Sequence, residues 1–517
     1  MARLKEYNGH YCESEYEYAF IGFLEAEGWK YSSGNNISRV TKRDVLIADD
    51  FKKFIADTNP DLTEDEVTKI YDNVRLVGAE SDFATLHKVY GWMVNGVQFT
   101  PQDELPRMIP LIDFDNWNKN IFRVVNQFTV EYTNNGQKEN RRPDVLLFVN
   151  GIPLCVIELK NPTDANATIY DAWEQINIRY WRDIPHLLHY CPLACISDGV
   201  KTRLGTVRTP YEHFYAWRRV NEGDAVSTLP FAETETMIKG VYSPERFLEI
   251  FRDYIYFQDS IYDSDEQEIV CRYPQFFATR LLKQSIIKSV VEKSGKGGTY
   301  FGATGCGKTY TMAFLARQLA LRCTDIPEIG SPTIILIVDR DELQKQGSKL
   351  FTKSKEFLNL GEVSVVKNRA QLRQELGARQ SGGFYICTIQ KFCDREDDKI
   401  GLINDRQNII CFSDEAHRTQ LEHSKKIQFS KDADENMKAM VSKPYAKVLK
   451  EAFPHATFVG FTGTPIAETY QTFGDEIDRY TMDQAVVDGL TVSIKYHPRI
   501  AKVLLCLLYT SDAADEL

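Results

Sequence analysis

The eight residues from Gly302 to Thr309 carry the clearest chemical signature in the chain. They read Gly-Ala-Thr-Gly-Cys-Gly-Lys-Thr, which is the G-x-x-x-x-G-K-[ST] pattern of a phosphate-binding P-loop. An apolar stretch enters the loop and a helical pattern leaves it, as the motif requires. The glycines let backbone N–H groups face a polyphosphate, while Lys308 would reach its β- and γ-phosphates and Thr309 would bind Mg²⁺. We therefore predict an ATP or GTP site built from Gly302, Thr304, Gly305, Cys306, Gly307, Lys308 and Thr309.

An acidic pair downstream of the P-loop could supply the Mg²⁺ ligand and the catalytic carboxylate of the same nucleotide site. The apolar run Ile409-Ile410-Cys411-Phe412 leads to Asp414 and Glu415. This pattern predicts a buried parallel strand that delivers two acids to the carboxyl edge of a sheet. Asp414 would hold the Mg²⁺ that Thr309 also binds, and Glu415 would orient or deprotonate the attacking water.

A third candidate site lies far upstream, in two apolar runs joined by Asn150-Gly151. That dipeptide is typical of a tight turn, so the runs are predicted to form a hairpin. The pairing would bring Asp144 close to Glu158 and Lys160, which is the PD-(D/E)xK nuclease arrangement. The carboxylates would hold Mg²⁺, which lowers the pKa of a bound water, and the lysine would position that water or stabilise charge. Glu158 and Lys160 taken alone are more typical of an exposed, salt-bridged strand. The Pro-Asp pair upstream and the Asn-Gly turn between the runs favour the nuclease site.

Composition sets limits on what surrounds these sites. The chain has 517 residues, of which 43% are apolar and 26% charged, as in an ordinary globular protein. That length predicts about three domains of ~150 residues. No apolar run is long enough for a membrane span, and eleven scattered cysteines without a C-x-x-C pair favour reduced thiols in the cytoplasm. The net charge of −11 argues against a simple basic coat protein for nucleic acid but leaves local basic patches possible.

Asp414-Glu415-Ala416-His417 reads DEAH, and with it the chain resembles a superfamily 2 helicase or translocase motor. Further elements stand in the expected order. The buried strand at 334–340, followed by Glu342, Leu343 and Gln346, is similar to motif Ia, and the segment 459–465 resembles motif III. The resemblance implies a RecA-like domain, a parallel sheet with helices on both faces.

Two further motor positions follow from the same resemblance. The segment 385–392 is similar to motif Ib, which implies that Thr388 and Gln390 contact the DNA backbone. Gln275 stands where the family has its adenine-reading glutamine, upstream of the P-loop. For Gln275, a surface position on a helix is the alternative.

A nuclease-like hairpin that precedes a DEAH motor resembles the R subunit of type I restriction–modification enzymes, from about Glu13 to about Tyr496. The fold class implied is α/β, a PD-(D/E)xK restriction-endonuclease-like domain followed by a RecA-like superfamily 2 motor domain. The implied activity is ATP-dependent translocation of double-stranded DNA with Mg²⁺-dependent cleavage of unmodified DNA. The implied partners are methyltransferase and specificity subunits, with no membrane.

The resemblance adds four candidate residues to the nuclease site. Among the three glutamates that open the first helix, Glu17 is predicted to face the nuclease metal. A Q-x-x-x-Y element implies DNA contact by Gln175, but Tyr180 lies five positions away instead of four. At α-helical spacing Gln175 and Arg179 share a face, so both are predicted to contact DNA, and the role of Tyr180 stays open.

We expect five segments. They are a nuclease domain at 1–200, a connector at 201–267, a first motor domain at 268–470, the start of a second motor domain at 471–500, and a non-native tail at 501–517. The nuclease domain would carry a helical elaboration around 50–75, and the connector a solvated acidic run at 259–266. The polar segment at 422–436 is either a loop near the DNA or a solvated surface loop without DNA contact. The chain would then be a fragment of a longer protein that lacks the second motor domain and its arginine fingers, and it would bind ATP better than it hydrolyses it.

Two other functions remain compatible with the sequence. One is a helicase–nuclease of another defence or repair system, which would cut without methyltransferase partners. The other is a non-catalytic DNA-binding scaffold with decayed sites. The presence of all the predicted catalytic side chains argues against decay.

Overall fold

The computed structural model describes residues 13–78, 80–102, 104–161, 168–227, 232–258, 266–339, 350–353, 355–392, 400–416, 427–431, 437–441 and 445–493. The helices are α1 (Glu13–Ala26), α2 (Ala48–Thr58), α3 (Glu64–Arg75), α4 (Asp82–Asn95), α5 (Ile169–Glu174), α6 (Trp181–Asp183), α7 (Pro185–Leu188), α8 (Glu233–Val241), α9 (Pro244–Asp253), α10 (Tyr273–Glu292), α11 (Lys308–Arg322), α12 (Lys355–Leu358), α13 (Arg369–Ala378), α14 (Tyr445–Ala452), α15 (Ala467–Phe473) and α16 (Met482–Val487). A π-helix, Gln175–Tyr180, joins α5 to α6.

The strands form two large sheets and four small hairpins. They are β1 (Lys30–Ser33), β2 (Val97–Phe99), β3 (Arg107–Ile109), β4 (Phe122–Asn126), β5 (Val130–Asn134), β6 (Gln137–Arg141), β7 (Val145–Val149), β8 (Ile152–Leu159), β9 (Leu193–Ser197), β10 (Thr202–Thr206), β11 (Ile255–Gln258), β12 (Gln267–Val270), β13 (Lys296–Gly302), β14 (Thr333–Val338), β15 (Val363–Val365), β16 (Phe384–Thr388), β17 (Ile409–Asp414), β18 (Ile427–Lys431), β19 (Met437–Val441), β20 (Thr457–Thr462) and β21 (Glu476–Tyr480). None of the helices in the described ranges is both long and apolar enough to cross a membrane.

The N-terminal half is built around a mixed sheet of six strands in the order β1-β4-β7-β8-β9-β10. Every residue of β7, β8 and β9 is buried, because helices and loops cover both faces of the sheet. The predicted hairpin is confirmed, since β7 and β8 pair antiparallel around Asn150-Gly151. Both turn residues have positive φ, 51° at Asn150 and 76° at Gly151, as a two-residue type I′ turn requires.

The C-terminal half is built around a parallel sheet of seven strands in the order β15-β16-β14-β17-β20-β13-β21. The strands are parallel, and most neighbours in the sheet are not consecutive in the chain, so crossover connections are needed. These connections place helices on both faces, as predicted for a RecA-like domain. In this order β13 and β17 flank β20. Their carboxyl ends therefore carry the P-loop, the acidic pair and the segment at 459–465 at one edge of the sheet.

Two predicted boundaries fall inside these sheets. β10 lies beyond residue 200 but forms the edge of the six-stranded sheet. β21 lies beyond residue 470, yet it pairs parallel with the P-loop strand β13. The segment predicted to begin a second motor domain therefore contributes an edge strand to the first sheet.

The connector packs firmly against the second sheet. α9 begins at Pro244 after Ser243, as the sequence predicts for a proline in the first helical turn. Arg218, ahead of α8, pairs with Asp488 at 2.6 Å, and Arg219 pairs with Asp478 at 3.1 Å. All four of these side chains are at least nine-tenths buried, so the connector and the end of the described chain form one continuous packing unit.

Candidate functional site

The β7–β8 hairpin positions the nuclease candidates. Asp144 directly precedes β7, and Glu158 and Lys160 stand at and just beyond the end of β8. The Asp144 backbone N–H donates to Glu158 Oε1 at 3.4 Å, and the Leu159 N–H donates to Asp144 Oδ2 at 2.8 Å. Lys160 Nζ lies 3.9 Å from Glu158 Oε2. The hairpin therefore brings all three predicted residues together.

A second layer of hydrogen bonds holds Glu158 from the π-helix. Gln175 Nε2 donates to Glu158 Oε2 at 2.7 Å, and the Tyr180 hydroxyl donates to Glu158 Oε1 at 2.7 Å. Gln175 also accepts from Lys160 Nζ at 2.9 Å and donates to the Tyr180 hydroxyl at 2.8 Å. A π-helix hydrogen-bonds from i to i+5, so residues five apart lie on one face. The extra residue between Gln175 and Tyr180 is absorbed by this turn.

The environment of Glu158 raises the pKa of its carboxyl well above the usual range. Burial is the largest cause, the neighbouring Asp144 adds to it, and Lys160 and Tyr180 oppose it. The buried Glu158 carboxyl and the half-buried Asp144 carboxyl form a donor set that suits a hard divalent cation such as Mg²⁺, which binds one or two carboxylates together with water and phosphate oxygens. Among the described residues, no cluster of three or more His, Cys, Asp or Glu forms a metal site, so the fit rests on the Asp144–Glu158 pair.

Glu17 lies next to this pair without completing a three-ligand cluster. Its carboxylate accepts from Asn126 Nδ2 at 2.5 Å, and Asn126 ends β4 opposite Val145. Burial raises the pKa of Glu17, and the charge of Asp144 raises it further. Asn126 thus holds the Glu17 carboxylate where it senses the charge of Asp144. Metal binding by Glu17 stays a prediction.

Arg179 does not join Gln175. Its guanidinium lies 3.5 Å from the Glu174 carboxylate on the exposed face, because the π-helical turn rotates Tyr180, rather than Arg179, beneath Gln175. The amide of Gln175 is engaged within the carboxylate cluster, so the structure gives it a supporting contact to Glu158 and Lys160. DNA contact by Gln175 and Arg179 stays a prediction.

The P-loop joins β13 to α11 with Gly305 and Gly307 at φ of 81° and 84°. A Cβ at Gly307 would lie 2.5 Å from Gln275 Nε2, so a side chain there would displace the Gln275 amide and would also strain the backbone at this positive φ. Lys308 Nζ donates to the Gly302 carbonyl at 3.2 Å and lies 3.9 Å from Glu415 Oε1. Lys308 therefore joins the loop to the acidic pair. The roles of Thr304, Cys306 and Thr309 in phosphate and Mg²⁺ binding stay predictions.

The acidic pair sits at the carboxyl end of β17. Burial, together with the neighbouring Glu415, raises the pKa of Asp414 to about 6, while Lys308 opposes the shift. Glu415 has a φ of 48°, uncommon for a residue with a side chain. Such strained backbone positions cluster at active sites and switch regions. His417 lies outside the described residues.

Gln275 begins α10 and is buried, 2% exposed, so the surface-helix alternative is wrong. Its Oε1 accepts from the Arg272 N–H at 2.9 Å, and its Nε2 donates to the Gly307 carbonyl at 3.3 Å. Gln275 also lines a cavity of about 660 Å³, together with Gly305 of the P-loop and Tyr310 of α11. The glutamine is therefore placed between the P-loop and a cavity large enough for a nucleoside.

Some of the remaining motor candidates lie in the described part of the structure, and others do not. A Cβ at Gly463, in the motif III segment, would lie 3.5 Å from Thr304 Oγ1, so this segment abuts the P-loop. Thr388 ends β16 and is 3% exposed. Gln390 donates to the Asp339 carbonyl at 2.6 Å. DNA contact by Thr388 and Gln390 stays a prediction. Several predicted segments lie outside the described residues: Glu342, Leu343 and Gln346, most of the acidic run at 259–266, and the tail at 501–517. Of the polar segment at 422–436, only β18 is described.

Sequence reasoning missed several residues of these sites. Asn126 gives no local signal, because its role depends on the packing of α1 against β4. Tyr180 gave a partial signal, the Q-x-x-x-Y pattern lengthened by one residue. Glu268 of the cavity gave none, since it lies in the short strand β12 and alternating residues there predict only the strand.

Two family profiles match the chain. Residues 11–213 match the N terminus of the type I restriction enzyme R protein, and residues 274–507 match the SWI2/SNF2 ATPase. The first match ends a few residues beyond the six-stranded sheet. The second begins at the start of α10 and extends into the segment 501–517.

Curated relatives match over nearly the whole chain. The type I restriction enzyme HindI endonuclease subunit of Haemophilus influenzae Rd is 31% identical over 94% of this chain and 46% of its own length. The type I restriction enzyme MjaIXP endonuclease subunit of Methanocaldococcus jannaschii is 30% identical over 97% of this chain and 47% of its own length. The chain thus spans about half the length of the curated relatives it matches.

Solved structures align more loosely. The Sulfolobus solfataricus SWI2/SNF2 ATPase core in complex with double-stranded DNA aligns over 41% of this chain and 34% of that chain, at 14% identity and a TM-score of 0.24. A TM-score this low does not support a comparison of positions.

Proposed function

The chain is a homologue of the endonuclease subunits of type I restriction enzymes over nearly its whole length, and on that premise we propose that it supplies the motor and nuclease of a type I restriction–modification complex. ATP turnover in the seven-stranded domain would drive translocation of double-stranded DNA. The six-stranded domain would then cleave unmodified DNA. The observation that carries the proposal is the Asp144–Glu158–Lys160 cluster around the buried Glu158, on the same chain as a P-loop whose Lys308 lies 3.9 Å from Glu415.

In the nuclease site Asp144 and Glu158 would hold Mg²⁺, with Glu17 as a further ligand. Bound there, the ion would supply a polarised scissile phosphate and an acidic water. The chain's own contribution is orientation. Gln175 and Tyr180 fix both oxygens of Glu158, and Lys160 presents its ammonium group beside Glu158 Oε2, where it can stabilise developing negative charge or position a water.

In the motor site Gly302 to Thr309 would bind the ATP phosphates, with Thr309 and Asp414 on Mg²⁺. Lys308 lies across the loop, between the Gly302 carbonyl and Glu415, and would contact the β- and γ-phosphates. Glu415 would orient or deprotonate the attacking water. Gln275 would contact the base from the edge of the cavity.

The partners and compartment follow from the same proposal. Methyltransferase and specificity subunits of the same system would provide sequence recognition, while this chain acts on the DNA backbone. The eight cysteines in the described residues are all free thiols and buried, which supports a reducing cytoplasm as the compartment.

The first test separates the two sites. In the complex reconstituted with the methyltransferase and specificity subunits, Glu158→Gln should abolish cleavage, since it removes a carboxylate charge from the metal pair. ATP hydrolysis should stay within about twofold, because the nuclease cluster and the P-loop lie on different sheets. Asp144→Asn should behave alike.

The matched motor variant is Lys308→Ala, which should abolish ATP hydrolysis and translocation through loss of the phosphate contact. Circular dichroism of both variants would show that each is folded. Cleavage by the Glu158 variant at the wild-type rate would remove the proposed nuclease site. Cleavage without methyltransferase and specificity subunits would favour a helicase–nuclease of another defence or repair system.

A further inference from the structure

A cavity of about 640 Å³ lies where the two halves of the chain meet. One wall comes from the nuclease half, with Asn59 after α2 and Lys119 ahead of β4. The other comes from α9 and the last turns of α11, with Arg252, Arg317 and Arg322. Since α11 has 15 residues and begins at the P-loop, the cavity lies about 20 Å from that loop. None of the described residues that line it belongs to either proposed catalytic site.

The three arginines share little buried negative charge. Asp253 is fully buried among them, and its carboxylate lies 2.6 Å from Arg322 and 3.4 Å from Arg252. Asp115 pairs with Arg252 at 3.3 Å, but its side chain is 89% exposed, so water screens that pair. The two other acids of the wall, Asp57 and Asp113, lie 2.9 Å from Lys53 and 3.8 Å from Lys119.

Arg317 is the most isolated of the three arginines. It is 9% exposed, and its Nε has no hydrogen-bond partner among the described residues. Its other nitrogens donate to the backbone carbonyls of Phe357, at 2.6 Å, and Arg252, at 3.3 Å. Burial lowers the pKa of its guanidinium, Tyr90 and Asp253 oppose the shift, and the neighbouring arginines add to it. A buried cation with too little counter-charge is destabilising, and an anion in the cavity would offset that cost.

Apolar side chains complete the cavity. Phe54, Val94, Ile112 and Phe114 line it, and the Arg252 guanidinium lies 5.1 Å from the centroid of the Phe114 ring. Small-molecule sites are typically mostly apolar, with a few charged groups, and have volumes of roughly 300–1,000 Å³. Guanidinium groups bind phosphate through paired N–H donors. The cavity therefore suits a ligand that carries both phosphate and a flat apolar group.

We propose that this cavity binds a nucleoside diphosphate or a phosphorylated small molecule of the same size, at a site separate from the P-loop. The phosphates would contact the arginines, and the base would lie against Phe54 and Phe114. Duplex DNA does not fit, because a duplex needs an exposed basic surface along its backbone, whereas Arg317 is buried in the cavity wall. Because both halves of the chain form the wall, the ligand would bridge the nuclease half and the P-loop helix.

The test is calorimetric titration of ADP into the 517-residue chain that carries Lys308→Ala. That substitution removes the phosphate contact of the P-loop, so the binding that remains reports on the cavity. ADP should bind at one site per chain, inorganic pyrophosphate should compete for it, and adenosine should bind about tenfold or more weakly than ADP.

Two further substitutions in that background address the cavity. Arg252→Met removes a cation, so binding of ADP and of pyrophosphate should weaken about tenfold or more. Val94→Trp fills the apolar part, so it should weaken ADP binding more than pyrophosphate binding. Val40→Trp, at a position that is 97% exposed, and Arg43→Met, also exposed, are the controls and should change neither.

Thermal midpoints separate a binding role from a structural one. ADP should raise the midpoint of the Lys308→Ala chain and leave that of its Arg252→Met derivative unchanged, while the two unliganded midpoints should agree closely. Absence of ADP binding overturns the inference. ADP binding that neither Arg252→Met nor Val94→Trp weakens belongs to the P-loop and also overturns it, as does weaker binding that appears only together with a lowered unliganded midpoint.

Discussion

At the scale of single residues, the nuclease cluster depends on side chains that hold Glu158 as much as on Glu158 itself. Both of its oxygens accept hydrogen bonds, from Tyr180 and from Gln175. Groups that orient a metal ligand are often worth nearly as much as the ligand. Tyr180 is therefore a positioning residue, buried beneath the carboxylate pair.

Tyr180→Phe tests that role. The ring still fills its site, but Glu158 Oε1 loses its side-chain donor, so cleavage should fall about 10- to 100-fold and require more Mg²⁺. The Mg²⁺ dependence of the cleavage rate in the reconstituted complex is the measurement. Tyr170→Phe, on an exposed ring, is the matched control. A Tyr180→Phe enzyme with wild-type rate and wild-type Mg²⁺ dependence would show that the hydroxyl does not position Glu158.

At the scale of elements, one π-helical turn decides which side chains reach the carboxylates. Gln175–Tyr180 is continuous with α5 and α6, so the turn inserts one residue into an otherwise α-helical segment. The turn also contacts the segment 207–209 that follows β10, because Asn177 Nδ2 donates to the carbonyls of Val207 and Thr209 at 3.0 Å each. Both flanks of the turn are anchored, and the extra residue must be accommodated between them.

Deletion of Ile178 tests this account. Ile178 is 48% exposed, and its removal leaves four-residue spacing, which places Gln175 and Tyr180 on one face of an α-helix. Mg²⁺-dependent cleavage should stay within about threefold of wild type, since the contacts to Glu158 are preserved. Insertion of one alanine after Ile178 should abolish cleavage, and Ile178→Ala, at unchanged length, is the control.

Equal loss of cleavage in the folded deletion and insertion variants would contradict the account. Such a result would mean that the π-helical turn itself, and not the shared face, is required at the nuclease site.

At the scale of the whole molecule, a buried cluster ties the connector to the edge of the motor sheet. Asp488 accepts hydrogen bonds from Arg218, at 2.6 Å, and from the hydroxyls of Tyr273 and Tyr480, at 2.8 and 2.6 Å. These residues come from the connector, α10 and β21. A buried ion pair adds little net stability, because removing both charges from water costs about as much as their attraction returns. Loss of one partner is strongly destabilising, since it leaves the other charge buried without compensation.

Asp488→Leu should lower the free energy of unfolding by about 3–5 kcal/mol, because it leaves the Arg218 guanidinium buried with one fewer partner. The double variant Arg218→Met/Asp488→Leu should recover most of that loss, since Glu233 keeps Arg203 as a partner. Urea unfolding followed by the fluorescence of buried Trp217, which packs on Tyr273, is the measurement. An Asp488→Leu chain that unfolds at the wild-type midpoint would show that the cluster does not hold the connector in place.

The sequence by itself determined the parts whose geometry is local. The P-loop backbone, the Asn150-Gly151 turn and the two-residue period that places Glu158 and Lys160 on one face follow from φ, ψ preferences and strand periodicity. These features need no knowledge of distant residues. The order of nuclease and motor motifs, also read from the sequence, carried the resemblance that the relatives bear out.

Only the tertiary structure decided the contacts that join distant segments. Asn126 on Glu17, Tyr180 on Glu158, and Glu268 beside the P-loop each depend on packing between elements far apart in sequence. The extra residue in the π-helical turn places the Tyr180 hydroxyl on Glu158 and leaves Arg179 on the exposed face. Side-chain identity specifies what a residue can bond, but burial and chain topology specify which partner it meets, and that is why these residues gave little or no signal before the fold was known.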